Sequence, residues 1–168
     1  MYTHGRGFSL LELLFAVFIA SLLTLASVWG FRGFAERSQR QLALHTAVLA
    51  LDRARSLAVI RRGRVAVCMF NQARVCSDDW SGTELAVFVD ANQNRQRDAD
   101  EEIIYQQPWP ATRLQLRWRN WRNERAITYQ ANGSVVSNGT LSINDANGNT
   151  LDSLVISKPG RARIVAGG

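Results

Sequence analysis

Between Leu13 and Phe31 every position is uncharged and most are apolar. A helix of roughly 20 such residues crosses a bilayer core of ~30 Å, so positions 13–31 predict a membrane-spanning helix. The pattern then changes period without a break. No proline or glycine occurs between Arg37 and Ile60, and Leu44, Val48, Leu51, Ala54 and Ala58 recur at spacings of three or four. That stripe predicts an amphipathic continuation, packed on a sheet, with Arg40, Arg53 and Arg55 turned outwards. Arg61-Arg62-Gly63 reads as its end, with basic side chains at the helix C-terminus and glycine beyond. A helix from Phe8 to Arg62 would be ~80 Å long at 1.5 Å per residue.

Past Gly63 short apolar runs alternate with turn residues. Arg64–Phe70, Glu84–Val89, Ile103–Tyr105, Leu114–Trp118 and Ile127–Gln130 read as strands. Thr140–Ile143 and Leu151–Ser157 form a closing hairpin around Asp145-Ala146-Asn147-Gly148, because Asn-Gly between alternating runs favours a tight turn. One long N-terminal α-helix, transmembrane then amphipathic, packed on a C-terminal antiparallel β-sheet domain is an α+β arrangement.

Composition changes this picture little. The net charge is +6, and Lys158 is the lone lysine among 20 basic residues. Arginine suits phosphates and carboxylates, but codon usage explains the same bias equally well. Cys68 and Cys76 lie eight positions apart; outside the cytoplasm a disulfide closing this loop is the default. They are not a zinc pattern, since the histidines are His4 and His45 and neither adjoins them. With no Ser-His-Asp order, activated cysteine or phosphate-binding glycine loop, no catalytic residues are assigned and an enzyme is not expected. No cofactor is expected either.

Gly7-Phe8-Ser9-Leu10-Leu11-Glu12 directly precedes the apolar run. It resembles the processing site of type IV prepilins, of the form G-F-[ST]-L-[ILV]-E. The resemblance implies cleavage by prepilin peptidase after Gly7 and N-methylation of Phe8. Glu12 would then pair with a neighbouring subunit's terminal amine during filament assembly. The domains implied are a leader (1–7), the transmembrane half of the helix (8–31), its periplasmic half (32–62) and a globular β-rich domain (63–168). The chain would sit in the inner membrane as a single-pass protein with its C-terminal domain in the periplasm, then in a pilus or pseudopilus. The basic residues Arg32, Arg37 and Arg40 after the span, against Arg6 before it, would by themselves argue the opposite orientation. The motif is the more specific signal.

Cys68, Trp80, Gly82, the run Val87-Phe88-Val89-Asp90-x-Asn92-x-Asn94, and Gly160-Arg161-Ala162-Arg163 are similar to the GspH/FimT group of minor pilins and pseudopilins. In the FimT subfamily the C-terminal G-R-x-R motif is linked to DNA binding in natural transformation. The resemblance therefore implies sequence-independent DNA contact through Arg161 and Arg163, with Gly160 and Lys158 beside them. On extended chain Arg161 and Arg163 project the same way, and Pro159-Gly160 suits a turn that lifts them clear of the sheet. The alternative is a structural minor pilin, or a GspH-like pseudopilin of a type II secretion system, with no DNA ligand.

Two further patterns bear on ligands. Arg113, Gln115, Arg117 and Arg119 alternate with Leu114, Leu116 and Trp118, which reads as a half-buried strand with a charged outer face. Such a face, with Trp121 or Trp109 for base stacking, also suits a nucleic-acid backbone. Asp90, Asn92, Asn94, Asp98 and Glu101 reproduce ligand positions 1, 3, 5, 9 and 12 of a calcium loop. Arg95 stands where that loop needs glycine and the flanks read as strands, so a plain hairpin loop is expected and no metal is assigned.

Overall fold

The computed structural model describes residues 9–110, 113–122 and 124–167, except for the side chains of 23–32. Gly7 and Phe8 lie outside the described residues, as do the side chains of 23–31 in the expected span. Helix α1 runs Leu10–Arg61. Ser9, just before it, and Glu12 have the spacing of a capping box, which places a carboxylate in the first turn where the helix dipole favours it. The chain divides into two compact units, 1–38 and 39–168.

In the first unit Leu10, Leu14, Phe15, Phe18 and Leu22 are among the apolar side chains left more than half exposed. Among the described residues no helix meets the length and apolarity needed to cross a membrane.

In the second unit the rest of α1 packs on two four-stranded antiparallel sheets. Strands β1 (Val65–Phe70), β2 (Glu84–Val89), β3 (Ile103–Pro108) and β5 (Ile127–Tyr129) make the first sheet, in the order β3-β2-β1-β5. Strands β4 (Gln115–Asn120), β6 (Gly139–Asn144), β7 (Thr150–Ile156) and β8 (Ala162–Ala166) make the second, in the order β4-β6-β7-β8. The buried positions of this part of the helix are Ala43, Thr46, Ala47, Ala50, Leu51, Ala54 and Ala58. Leu51, Ala54 and Ala58 of the expected stripe are buried, while Leu44 and Val48 lie on its flank, packed against the core. This face packs into one core with the apolar faces of both sheets, which supply Val67, Leu85, Ile127, Leu141 and Leu154. A second cluster on the far face of the first sheet gathers Ala66, Cys68, Phe70, Cys76 and Phe88. There Cys68 and Cys76 form a disulfide, with Cα atoms 5.6 Å apart.

Two of the arginines expected to face outwards instead tie α1 to the second sheet and its turns. Arg40 grips Asp152 with two hydrogen bonds, at 2.5 and 2.7 Å, and donates a third to the Leu151 carbonyl. Register explains the pairing: Asp152 lies opposite Ile143 on the core side of β7, so its buried carboxylate needs a cation from the helix. Arg55 donates to the carbonyls of Gly133 and Pro159. Arg53 stays exposed and lies over the Tyr105 ring at 4.2 Å.

Candidate nucleic-acid interface

The last hairpin corrects the expectation of a turn that lifts Arg161 and Arg163 clear of the sheet. After Ile156 the chain turns at Ser157-Lys158-Pro159-Gly160 and returns as β8, pairing Val155 with Arg163 and Ile156 with Ala162. Gly160 N–H donates to the Ser157 carbonyl at 2.8 Å and Ser157 N–H to the Arg161 carbonyl at 3.0 Å. Gly160 has φ +82°, and a Cβ there would sit 2.0 Å from the Gly133 carbonyl oxygen. A type I turn closed by a left-handed residue is a standard three-residue hairpin loop, and here only glycine fits its last position. Gly160 is buried, and Lys158 donates to the Val136 carbonyl at 2.6 Å. The turn is thereby docked on the 130–136 loop, and β8 is held in the sheet.

Strand register then brings the two basic patterns together. On the outer face of the second sheet Arg119 lies opposite Thr140, Thr140 opposite Val155, and Val155 opposite Arg163. Arg119 and Arg163 therefore share one transverse row, three strand spacings apart, or roughly 14 Å. Arg117 lies one row along, in line with Ser142, Ser153 and Val165. Arg161 faces the same side by alternation, opposite Ser157. All four guanidinium-bearing residues are exposed, and none forms an ion pair among the described residues. The register also sets Gln115, Thr140, Ser142, Asn144, Ser153, Val155 and Val165 on this face, and no strand turns a carboxylate to it. Asp152, the one acidic residue in β7, points to the other side, where Arg40 holds it.

Carboxylates border the face at the free edge of β4. A cleft of about 580 Å³ there is lined by Asp78, Asp79, Arg117, Trp118 and Arg119, among others. Asp78 pairs with Arg125. The hydroxyls of Ser77 and Ser81 donate to Asp79 and hold its carboxyl down at about 2. Both acidic groups thus have partners other than Arg117 and Arg119. Beyond β4, Trp121 is 73% exposed with the Arg122 guanidinium 4.7 Å from its ring centre. Trp109 is half-buried and donates to the Leu114 carbonyl, which leaves Trp121 the freer of the two indoles.

Among the described residues no three or more His, Cys, Asp or Glu side chains are grouped to hold a metal ion. Glu12 is exposed in the first turn of α1. His45 is exposed on the helix.

Residues 43–160 match the family model described as type II transport protein GspH, and residues 3–28 match the prokaryotic N-terminal methylation motif. No curated protein matches the chain significantly. A crystal structure of the type IV minor pilin FimU of Pseudomonas aeruginosa (strain PAO1) superposes with a TM-score of 0.56 at 22% identity, over 79% of this chain and 92% of that one. A second crystal form of FimU gives 0.53 at 22% identity, over 74% and 91%. The minor pseudopilin EpsH from the type II secretion system of Vibrio cholerae is a looser likeness: TM-score 0.48, 14% identity, 78% and 92% covered. At these identities the structural likeness shows the fold, while the family match spans well over half the sequence. The chain belongs to the GspH family, a group of minor pilins and pseudopilins, and carries the N-terminal methylation motif.

Proposed function

We propose that this minor pilin binds DNA without sequence preference through the outer face of its second sheet, and so supports DNA uptake in natural transformation. One observation carries the reading: Arg161, Arg163, Arg117 and Arg119 are exposed on one face, to which the strands turn no carboxylate. Guanidinium groups contact phosphates electrostatically, and such contacts position a duplex without reading its bases. Arg161 and Arg163 supply the principal contacts. Lys158 and Gly160 shape the turn that presents them, and Arg117 and Arg119 extend the track to the opposite edge.

Prepilin peptidase cleaves after Gly7 and Phe8 becomes the methylated terminus, a reading supported by the motif match at 3–28. Glu12 then meets the terminal amine of a neighbouring pilin subunit. The apolar run 13–31 anchors the chain in the inner membrane with the second unit in the periplasm. Arg40 is a weak counterargument to that orientation, because it is paired with Asp152 inside the folded unit.

A second reading follows from the description of the matching family as a type II transport protein. In it the chain is a structural pseudopilin and the arginines are solvated surface. Fluorescence anisotropy with the full chain in mild detergent separates the two. On the DNA reading, labelled duplexes of unrelated sequence bind alike and the Arg161→Ala/Arg163→Ala chain loses about tenfold or more in affinity. Equal binding by both chains, or none at low salt, leaves the structural reading standing.

A further inference from the structure

The loop between β2 and β3 is organised around three carboxylates. Asp90 is only 1% exposed; its Oδ1 accepts the Arg95 N–H at 3.3 Å, and its Oδ2 has no hydrogen-bond partner. The first of these contacts turns the carboxylate into the loop. Burying a carboxylate oxygen without a partner is costly, so an unmet charge here points to something that meets it. Glu101, 7% exposed, closes the loop from the other end, accepting the N–H groups of Ala91 at 2.9 Å and Asp98 at 3.1 Å. Between them Asp98 Oδ2 accepts the side-chain amides of Asn92 and Asn94, at 2.6 and 2.7 Å.

These five residues occupy ligand positions 1, 3, 5, 9 and 12 of a calcium loop, and the structure answers the objection raised at Arg95. Position 6 of such a loop needs a left-handed backbone, normally glycine. Arg95 adopts it, at φ +64°. The Arg95 guanidinium leaves the loop and pairs with Glu124 at 2.8 Å, while Arg97 donates to the Ala99 carbonyl. No described guanidinium pairs with Asp90, Asp98 or Glu101. The strand flanks serve as well as helices to fix the loop ends: Asp90 N–H donates to the Arg64 carbonyl, and Val89 N–H to that of Glu102.

We infer that the 90–101 loop is a binding site for a calcium ion, held by Asp90, Asn92, Asn94, Asp98 and Glu101. The three carboxylates are not grouped by themselves. The shell is mixed, and it is completed when Asp98 releases the two amides and the asparagine carbonyl oxygens turn inwards. Calcium accepts six to eight oxygens in flexible geometry, whereas magnesium demands near-octahedral ligands and keeps its waters, so the loop discriminates between them. This inference is independent of the DNA reading.

The test is calorimetric titration of the full chain in detergent with calcium chloride, beside thermal melting in calcium, in magnesium and in chelator. The expected result is one site per chain with a dissociation constant near that of extracellular calcium modules, ~0.1–1 mM. Millimolar calcium should raise the melting temperature by several degrees over chelator, and magnesium should do markedly less. Asp98→Asn, at a half-buried position outside the core, should weaken binding by about tenfold and shrink the rise in melting temperature that calcium gives over chelator. Asp90→Asn should abolish binding, and the Asp98 variant keeps the test decisive if that chain fails to fold. Absence of binding heat at millimolar calcium overturns the inference, as does unchanged calcium affinity in Asp98→Asn.

Discussion

Arg62 ends α1 in a conformation that the sequence assigned to its neighbour. Gly63 N–H bonds back to the Ala58 carbonyl and Arg62 N–H to that of Val59, and the left-handed residue is Arg62, at φ 50°. A side chain there strains a position that glycine fills freely. Arg62→Gly should therefore raise unfolding stability by about 1 kcal/mol, read as a higher denaturant midpoint with unchanged slope. Asp79 offers a second residue-scale prediction. Hydrogen bonds from Ser77, then Ser81, hold its carboxyl at about 2 against an ordinary 3.8. A carboxyl depressed on folding contributes stability that is complete above its unfolded value and lost as pH falls through its folded one. The side chain is largely exposed, so the contribution is screened to no more than about 1 kcal/mol. Asp79→Asn should melt below wild type at neutral pH, and the gap should close as pH falls from about 4 to about 2.

Four hairpin turns of this domain repeat one device. Asn71–Val75, Gln130–Ser134, Asp145–Asn149 and Ser157–Arg161 each pair their first N–H with the fifth carbonyl, and the fourth N–H with the first carbonyl. The fourth residue is left-handed in each: Arg74, Gly133, Gly148 and Gly160. The turn at Gly148 was legible because Asn-Gly sat between two alternating runs. Pro159-Gly160 was read as a turn away from the sheet, since the five residues of β8 leave most of their side chains exposed and lack a buried alternation. The glycine three places after Ser157 was the available signal. Gly160→Ala should cost more than about 2 kcal/mol, because the new Cβ meets the Gly133 carbonyl and the backbone is left-handed. The same substitution should weaken DNA binding with Arg161 and Arg163 intact, which anisotropy would register. The helix shows the converse lesson. Its spacing was legible, and Leu51, Ala54 and Ala58 are buried as expected, but the face is centred nearer Ala43, Ala47 and Ala50 than Leu44 and Val48, with Arg40 drawn inwards by Asp152.

At the scale of the molecule, the long helix, the β-rich domain, the antiparallel pairing and the disulfide were readable from local pattern. The division into two sheets was not, since it depends on which strands pair across long stretches of chain. The candidate interface has the same origin. Arg117-x-Arg119 and Arg161-x-Arg163 lie more than forty positions apart in sequence. Only β6 and β7, inserted between β4 and β8, set them on one face.

That shared face is the central claim, and the salt dependence of binding tests it most directly. The full chain in detergent is titrated with duplex DNA across a salt series, beside the Arg161→Ala/Arg163→Ala and Arg117→Ala/Arg119→Ala chains. Each phosphate contact contributes about 0.9 to the slope of log affinity against log salt, so each double variant should flatten it by about 2. A slope unchanged in both variants would contradict the account and leave a structural pilin whose basic sheet face touches only water.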